Sequence, residues 1–234
     1  MVSCGKVRVL MNGVKVSEYT KGFSISRSTT NEDYTGFEKM SRVYSGKLRD
    51  TDININGWAD DSEEGLYAKL EQGMSQASSN IFVLLGLEDG ASGFFSNMSS
   101  GELNVEGAFD SGVNVTISGK GKGEEAARSI KVIHTLSVSE DQDDYGPVDI
   151  VNGGSNGAVI YVSVQSVNDE MTLLFEHSDV EGEDYTSLSN LEIVESGLYK
   201  VNVSGTVKSY IKIGHVGDSV ESTINYLAAI HIIK

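Results

Sequence analysis

The sequence predicts a mainly-β protein. Short runs in which apolar and polar residues alternate recur along the chain, and Gly, Asn and Asp turns separate them. Gly is abundant, at 26 of 234 residues, and there is a single Pro. Thr, Val and Ser are frequent and Ala is sparse, which also favours strands over helices. The length suits one large domain or two ordinary ones, each able to bury its own core.

The opening stretch, KVRVLMNGVKVSEYTKGFSISRS from Lys6 to Ser28, predicts a meander. Val7, Val9 and Met11 alternate with Arg8 and Leu10 up to Asn12-Gly13, after which Val14 and Val16 alternate with Lys15 and Ser17. Asn-Gly between two such runs signals a hairpin, because both central residues of a type I′ turn need positive φ. A third run then places Phe23 and Ile25 on one face and Ser24, Ser26 and Ser28 on the other. Between Arg27 and Lys47 the pattern dissolves, and a loop this long inside a domain is either functional or disordered.

From Thr51 to Trp58 alternation returns through Ile53 and Ile55. The one persuasive helix follows, over about residues 61–76. Asp60 or Asp61 can cap it, Glu63 and Glu64 suit its N-terminal dipole, and Leu66, Leu70 and Met74 repeat every four residues, with Tyr67 widening the stripe. Trp58 is expected to pack against this helix. Further strands are predicted at Ile81–Leu85, Gly93–Met98, Glu102–Phe109, Val113–Ser118 and Ser129–Ser137.

Ser137 to Pro147 is polar and acidic and ends in Gly-Pro, the profile of a linker or a long exposed loop, and a domain boundary is placed at about 146. Residues 1–146 carry 14 Lys+Arg and 22 Asp+Glu, and residues 147–234 carry 4 and 12. Both balances are -8, so the shorter segment is the more acidic per residue. It predicts no helix. Ala158–Ser166, Thr172–Ser178, Gly197–Ser204, Tyr210–Ile213 and Ser222–Ile233 read as strands of a sandwich, with EGEDYTS as a hairpin tip.

The net charge of -16 argues against a surface that grips nucleic acid, since that affinity comes from Lys and Arg on phosphates. Acidic balance serves solubility, or lets DNA pass without adhesion. Cys4 has no intramolecular partner and no zinc pattern around it. The start lacks a signal-peptide apolar core, and the longest apolar runs are too short to span a bilayer, so no membrane association is expected and a reducing cytoplasm suits the chain. His134, His177, His215 and His231 have no metal-ligand spacing and read as ordinary strand residues. Gly119-Lys120-Gly121-Lys122-Gly123 lacks the phosphate-loop spacing and reads as a mobile turn, although its lysines could meet an acidic neighbouring subunit. Asp141 to Gly146 begins like a calcium loop, then fails at Tyr145 and Asn152. Glu181, Glu183 and Asp184 read as a solvated loop. No nucleophile elbow is present. No catalytic residue, cofactor or metal is predicted, and the chain is not expected to be an enzyme.

The opening VRVLMNGVKVSEYTKGFSISRS resembles the start of tailed-bacteriophage tail-tube (major tail) proteins. The resemblance continues through Asp52–Trp58, Asp60–Leu66, Phe94–Glu106 and Val113–Gly119. The pieces LLFEHSDVEGEDYTSL, GLYKVNVSGTVKSYIKI and INYLAAIHIIK resemble a β-sandwich domain often fused behind such tail domains. Lys208-Ser209-Tyr210-Ile211-Lys212 departs from that pattern, where the family tends to have arginines.

The resemblance implies a tail-tube-like β-barrel or sandwich over 1–146, with one packed helix and a long loop, then a small β-sandwich over 147–234. It implies a virion structural protein, assembled in the host cytoplasm and located in the tail. Its homo-oligomers would be stacked, hexameric rings forming a DNA-ejection conduit, with other tail proteins as partners and DNA passing without specific binding. A candidate inter-subunit arm spans about 28–48 and includes Thr30, Asp33, Tyr34, Phe37, Met40 and Tyr44. The acids that face the lumen are left unassigned. The second domain would decorate the outside, where host-surface contact is open to it. The alternatives are another virion component, such as a capsid decoration or tail-tip protein, and a carbohydrate-binding β-sandwich protein.

Overall fold

A computed structural model describes residues 7–12, 14–16, 20–33, 44–58, 67–68, 78–86, 88–108, 112–121, 128–139, 145–150, 153–217 and 223–233. The described residues are mainly antiparallel β. In chain order the strands are β1 (Arg8–Met11), β2 (Val14–Lys15), β3 (Thr20–Asp33), β4 (Tyr44–Trp58), β5 (Ser78–Leu84), β6 (Ser92–Ala108) and β7 (Gly112–Gly121). They continue with β8 (Arg128–Ser139), β9 (Tyr145–Asp149), β10 (Ala158–Val167), β11 (Met171–Ser178), β12 (Thr186–Ile193), β13 (Gly197–Val203), β14 (Tyr210–Gly217) and β15 (Thr223–Ile232). The fold class expected from the alternation is the one observed.

The opening hairpin is present. Leu10 pairs with Lys15 and Met11 with Val14, and Asn12 adopts the positive φ, 49°, that the Asn-Gly turn requires. The predicted helix over 61–76 lies almost wholly outside the described residues; Tyr67 and Ala68 are helical. Trp58 is 46% exposed and carries the Lys21 ammonium on its ring; its expected packing against that helix falls on residues outside those described.

The chain packs as two units that do not follow chain order. One comprises Met1–Lys15, Phe82–Phe94 and Ser129–Lys234, and the other Val16–Ile81 and Phe95–Arg128. Gly146 and Pro147, expected in a linker, lie in β9. Pro147 is tolerated there because β9 is the edge of its sheet and its pairing with β14 is irregular between Ile211 and Ile213.

In the first unit one sheet runs β12-β11-β14-β9, and β13-β10-β15-β8 are neighbours in another. Met171, Leu173 and Phe175 of β11 and Ile211 and Ile213 of β14 join Ile160, Val162 and Val164 of β10 and Ala228 and Ile230 of β15 in one buried cluster. Alternation along β11 puts these residues on one side (Met171, Leu173 and Phe175 buried, Leu174 exposed). The first seven residues of β10 are all buried, because the strand is covered on both faces. Tyr161, on its other face, meets Phe82 edge-on with ring centroids 6.5 Å apart. The hairpin tip expected at EGEDYTS is a turn in which Gly182 and Asp184 take positive φ. β12, just after it, was not anticipated: TSLSNLEI has few β-branched residues, and its pairing with β11 places it.

In the second unit β3 pairs with β4, β4 with β7, and β7 with β6. β6 joins two predicted strands through an irregularity between Ser99 and Glu102. The expected mobile turn at Gly119-Lys120-Gly121 is strand instead, paired with β4 and β6. A Cβ at Gly119 would overlap the Met98 side chain, so the glycine makes room for a core methionine. Lys122 and Gly123 lie outside the described residues.

Candidate assembly surface

Strand alternation sorts the second unit's sheet into two faces. Ile53 and Ile55 of β4 and Val115 and Ile117 of β7 are buried on one, opposite half-buried Phe23, Ile25 and Leu103. Burial at about 25 cal/mol per Å² makes this face the main reason the four strands stay together. The apolar face reaches solvent at one end through Val105 and Val113, which are 49% and 42% exposed.

The other face is built from small polar side chains. It carries Ser24, Ser26 and Ser28 of β3, Asp52, Asn54 and Asn56 of β4, Asn114, Thr116 and Ser118 of β7, and Glu102, Asn104 and Glu106 of β6, placed side by side by the register. Among the described residues two lysines share it, and both are engaged. Lys120 Nζ lies 3.6 Å from Asp52, an exposed pair worth little in stability. Lys21, at the bulge between Thr20 and Gly22, donates to Asn114 Oδ1 at 2.7 Å and sits 3.0 Å from the centre of the Trp58 ring. The indole face attracts the ammonium, a cation–π contact.

Among the described pairings β3 has β4 alone as neighbour, and no described strand pairs along its other edge. Bulges at Lys21 and between Thr30 and Asn31 bound an uninterrupted stretch from Gly22 to Thr30. That stretch, GFSISRSTT, contains no Pro and one charge, Arg27. Open edges are commonly blunted by charges, Pro or bulges, and an unblunted one pairs readily with another chain.

The expected arm falls partly within these strands. Thr30 lies opposite Leu48, and Asp33 lies opposite Tyr44, so the register brings those two candidates together. Tyr34, Phe37 and Met40 lie outside the described residues. The loop expected over Arg27–Lys47 is strand at both ends, through Asp33 and from Tyr44. Mixed Ser, Thr, Asn and charged residues hid this, because pairing rather than side-chain pattern extends the hairpin.

The four histidines occupy strands, as expected. His134 and His215 are buried beside Tyr226, and His215 Nε2 lies 2.6 Å from the Tyr226 hydroxyl. His177 is held neutral. Burial is the main cause that lowers its pKa, the Lys208 charge adds to it and Asp179 opposes it. Its Nδ1 accepts a hydrogen bond from the Lys208 backbone N–H at 3.2 Å. Among the described residues no three His, Cys, Asp or Glu side chains are grouped to hold a metal ion, and no helix is long and apolar enough to cross a membrane. Asp141 to Asp144 and Cys4 lie outside the described residues.

Neither a protein-family model nor a curated protein matches the chain. Among solved structures it is similar to a chain from the virion of a native gene transfer agent particle, with 12% identity, a TM-score of 0.42, and 53% of this chain and 95% of that one covered. A chain from the tail of an empty gene transfer agent particle, of C6 symmetry, has 13% identity and a TM-score of 0.38, covering 50% and 90%. The Dit protein of phage SPP1, described as a hub of the adsorption apparatus in phages that infect Gram-positive bacteria, has 12% identity and a TM-score of 0.35, covering 97% and 99%.

Proposed function

We propose that the chain is a structural subunit of a phage-type tail and, more specifically, a tail-tube subunit that forms stacked, hexameric rings. The observation that carries the reading is the Gly22–Thr30 edge of β3, along which no described strand pairs, in a sheet with one apolar and one polar face. A strand edge of nine residues spans about 30 Å and offers a second copy a row of backbone donors and acceptors. Pairing between different surfaces of successive copies closes a ring. The polar face then lines the conduit. Its lysines are occupied by Asp52, Trp58 and Asn114, and Asp52, Glu102 and Glu106 are its lumen-facing acids. DNA meets hydroxyls and carboxamides there, with the ammonium groups already engaged.

The segment over about 28–48, with Thr30, Asp33, Tyr34, Phe37, Met40 and Tyr44, serves as the arm to an adjacent subunit or ring. Residues from 147 onward decorate the outside. The site is virion tail, with other tail proteins as partners, and the role is structural.

Negative-stain microscopy of the purified full-length protein tests this. Rings or tubes are the expected result. Persistent monomers or trimers that bind only capsids would instead support a decoration or tail-tip role.

A further inference from the structure

We propose that Lys21 and Asn114 form an intramolecular isopeptide bond, a covalent modification that staples the edge strand β3 to β7. Side chains from four strands converge here. Lys21 Nζ of β3 is 2.7 Å from Asn114 Oδ1 of β7, the oxygen bonded to the carboxamide carbon. Trp58 of β4 lies under the ammonium, 3.0 Å from Nζ to the ring centre, and limits its freedom to leave. Glu106 of β6 is directly across from Asn114 in the ladder, on the same face. Cross-strand neighbours have Cβ atoms about 5 Å apart, which puts a carboxylate within reach of the carboxamide.

The chemistry balances without an oxidant or a co-reactant. The Lys21 ammonium first gives one proton to solvent; the neutral amine then attacks Cγ of Asn114, the Nζ–Cγ bond forms and the Cγ–Nδ2 bond breaks. Glu106 takes a proton from Nζ and delivers it to Nδ2, which departs as ammonia. An amine is nucleophilic only as the free base, so a neighbouring general base and a held geometry are what the reaction needs. The site is open to solvent, so the bond accumulates slowly near neutrality and faster in alkali. A single turnover suffices. The bond closes a loop across 93 residues of separation and prevents the edge strand from peeling. The proposal is independent of the tail-tube reading.

Mass spectrometry of the full-length protein tests it. The expected result is a mass lower by about 17 Da, from loss of ammonia, and a joined tryptic peptide containing Lys21 and Asn114. A succinimide at an Asn-Gly pair such as Asn56-Gly57 gives the same mass change, but no joined peptide. Lys21→Arg keeps the charge over Trp58 and should abolish the joined peptide, as should Asn114→Ala. Glu106→Gln should slow its formation near neutrality, with recovery at about pH 9.5, where hydroxide replaces the carboxylate. Separate Lys21 and Asn114 peptides after prolonged incubation in alkali would overturn the bond, and an unchanged rate in Glu106→Gln would overturn the role of that carboxylate.

Discussion

Proline scanning of the Gly22–Thr30 edge separates folding from assembly. Successive N–H groups in a strand point to opposite edges, so one of Ser26 and Arg27 donates toward β4 and the other outward. Both sit in the uninterrupted part of β3, opposite Asp52 and Thr51. Proline at the inward position removes a ladder bond, a loss of about 1–3 kcal/mol that appears as a lower melting temperature of the monomer. Proline at the outward position leaves the monomer's ladder intact and removes one donor from the contact between copies.

Nine edge residues at about 0.5–1.5 kcal/mol per hydrogen bond offer roughly 5–13 kcal/mol, against about 4–15 kcal/mol for association. That margin is thin. One lost bond with its orphaned carbonyl, about 2–4 kcal/mol, therefore weakens each contact roughly 30- to 900-fold. Ser26→Pro and Arg27→Pro would be compared by thermal melting, sedimentation velocity and negative-stain microscopy, with Arg27→Ala as the side-chain control. The expected outcome is one variant with a lowered melting temperature and the other folded but unassembled. If the variant that keeps its fold forms rings and tubes like the parent, the edge is not the contact and the reasoning fails.

The remaining expectations are simpler. The folded state holds His177 neutral, whereas the unfolded chain takes up its proton near the ordinary value of 6.5. The unfolded state therefore binds more protons below that pH, so stability is level above it and declines as pH falls toward the lowered native value. Urea unfolding between about pH 8 and about pH 5 should show this slope, and His177→Asn, which keeps an acceptor for the Lys208 N–H, should flatten it; parallel profiles would refute the assignment. Phe175→Ala, at a fully buried position of the first unit's core, should cost about 3–5 kcal/mol by denaturant unfolding, and a loss under about 1 kcal/mol would show that the cluster does not depend on it. Duplex DNA at about 0.15 M salt should show no retention by fluorescence anisotropy, whereas salt-sensitive binding would reveal cations free to meet phosphate.

Alternation alone determined the β class, the opening hairpin and the run through Ile53 and Ile55, because a strand's two-residue period writes burial directly into residue order. Asn12 carried its own turn. Composition likewise set the acidic balance. What only the tertiary structure decided were pairings between distant segments. Gly119–Gly121 looked like a turn because glycine's local preference is for turns, yet room for Met98 is what its position requires. Pro147 looked like part of a linker or loop because proline interrupts ladders, yet an edge strand has ladder bonds on one side only. β3 and β4 looked like a loop where polar residues hid the period, and the partner strand supplied the order. Lys21, Trp58, Glu106 and Asn114 meet only once four strands are in register, and a slip of one residue would send each to the opposite face.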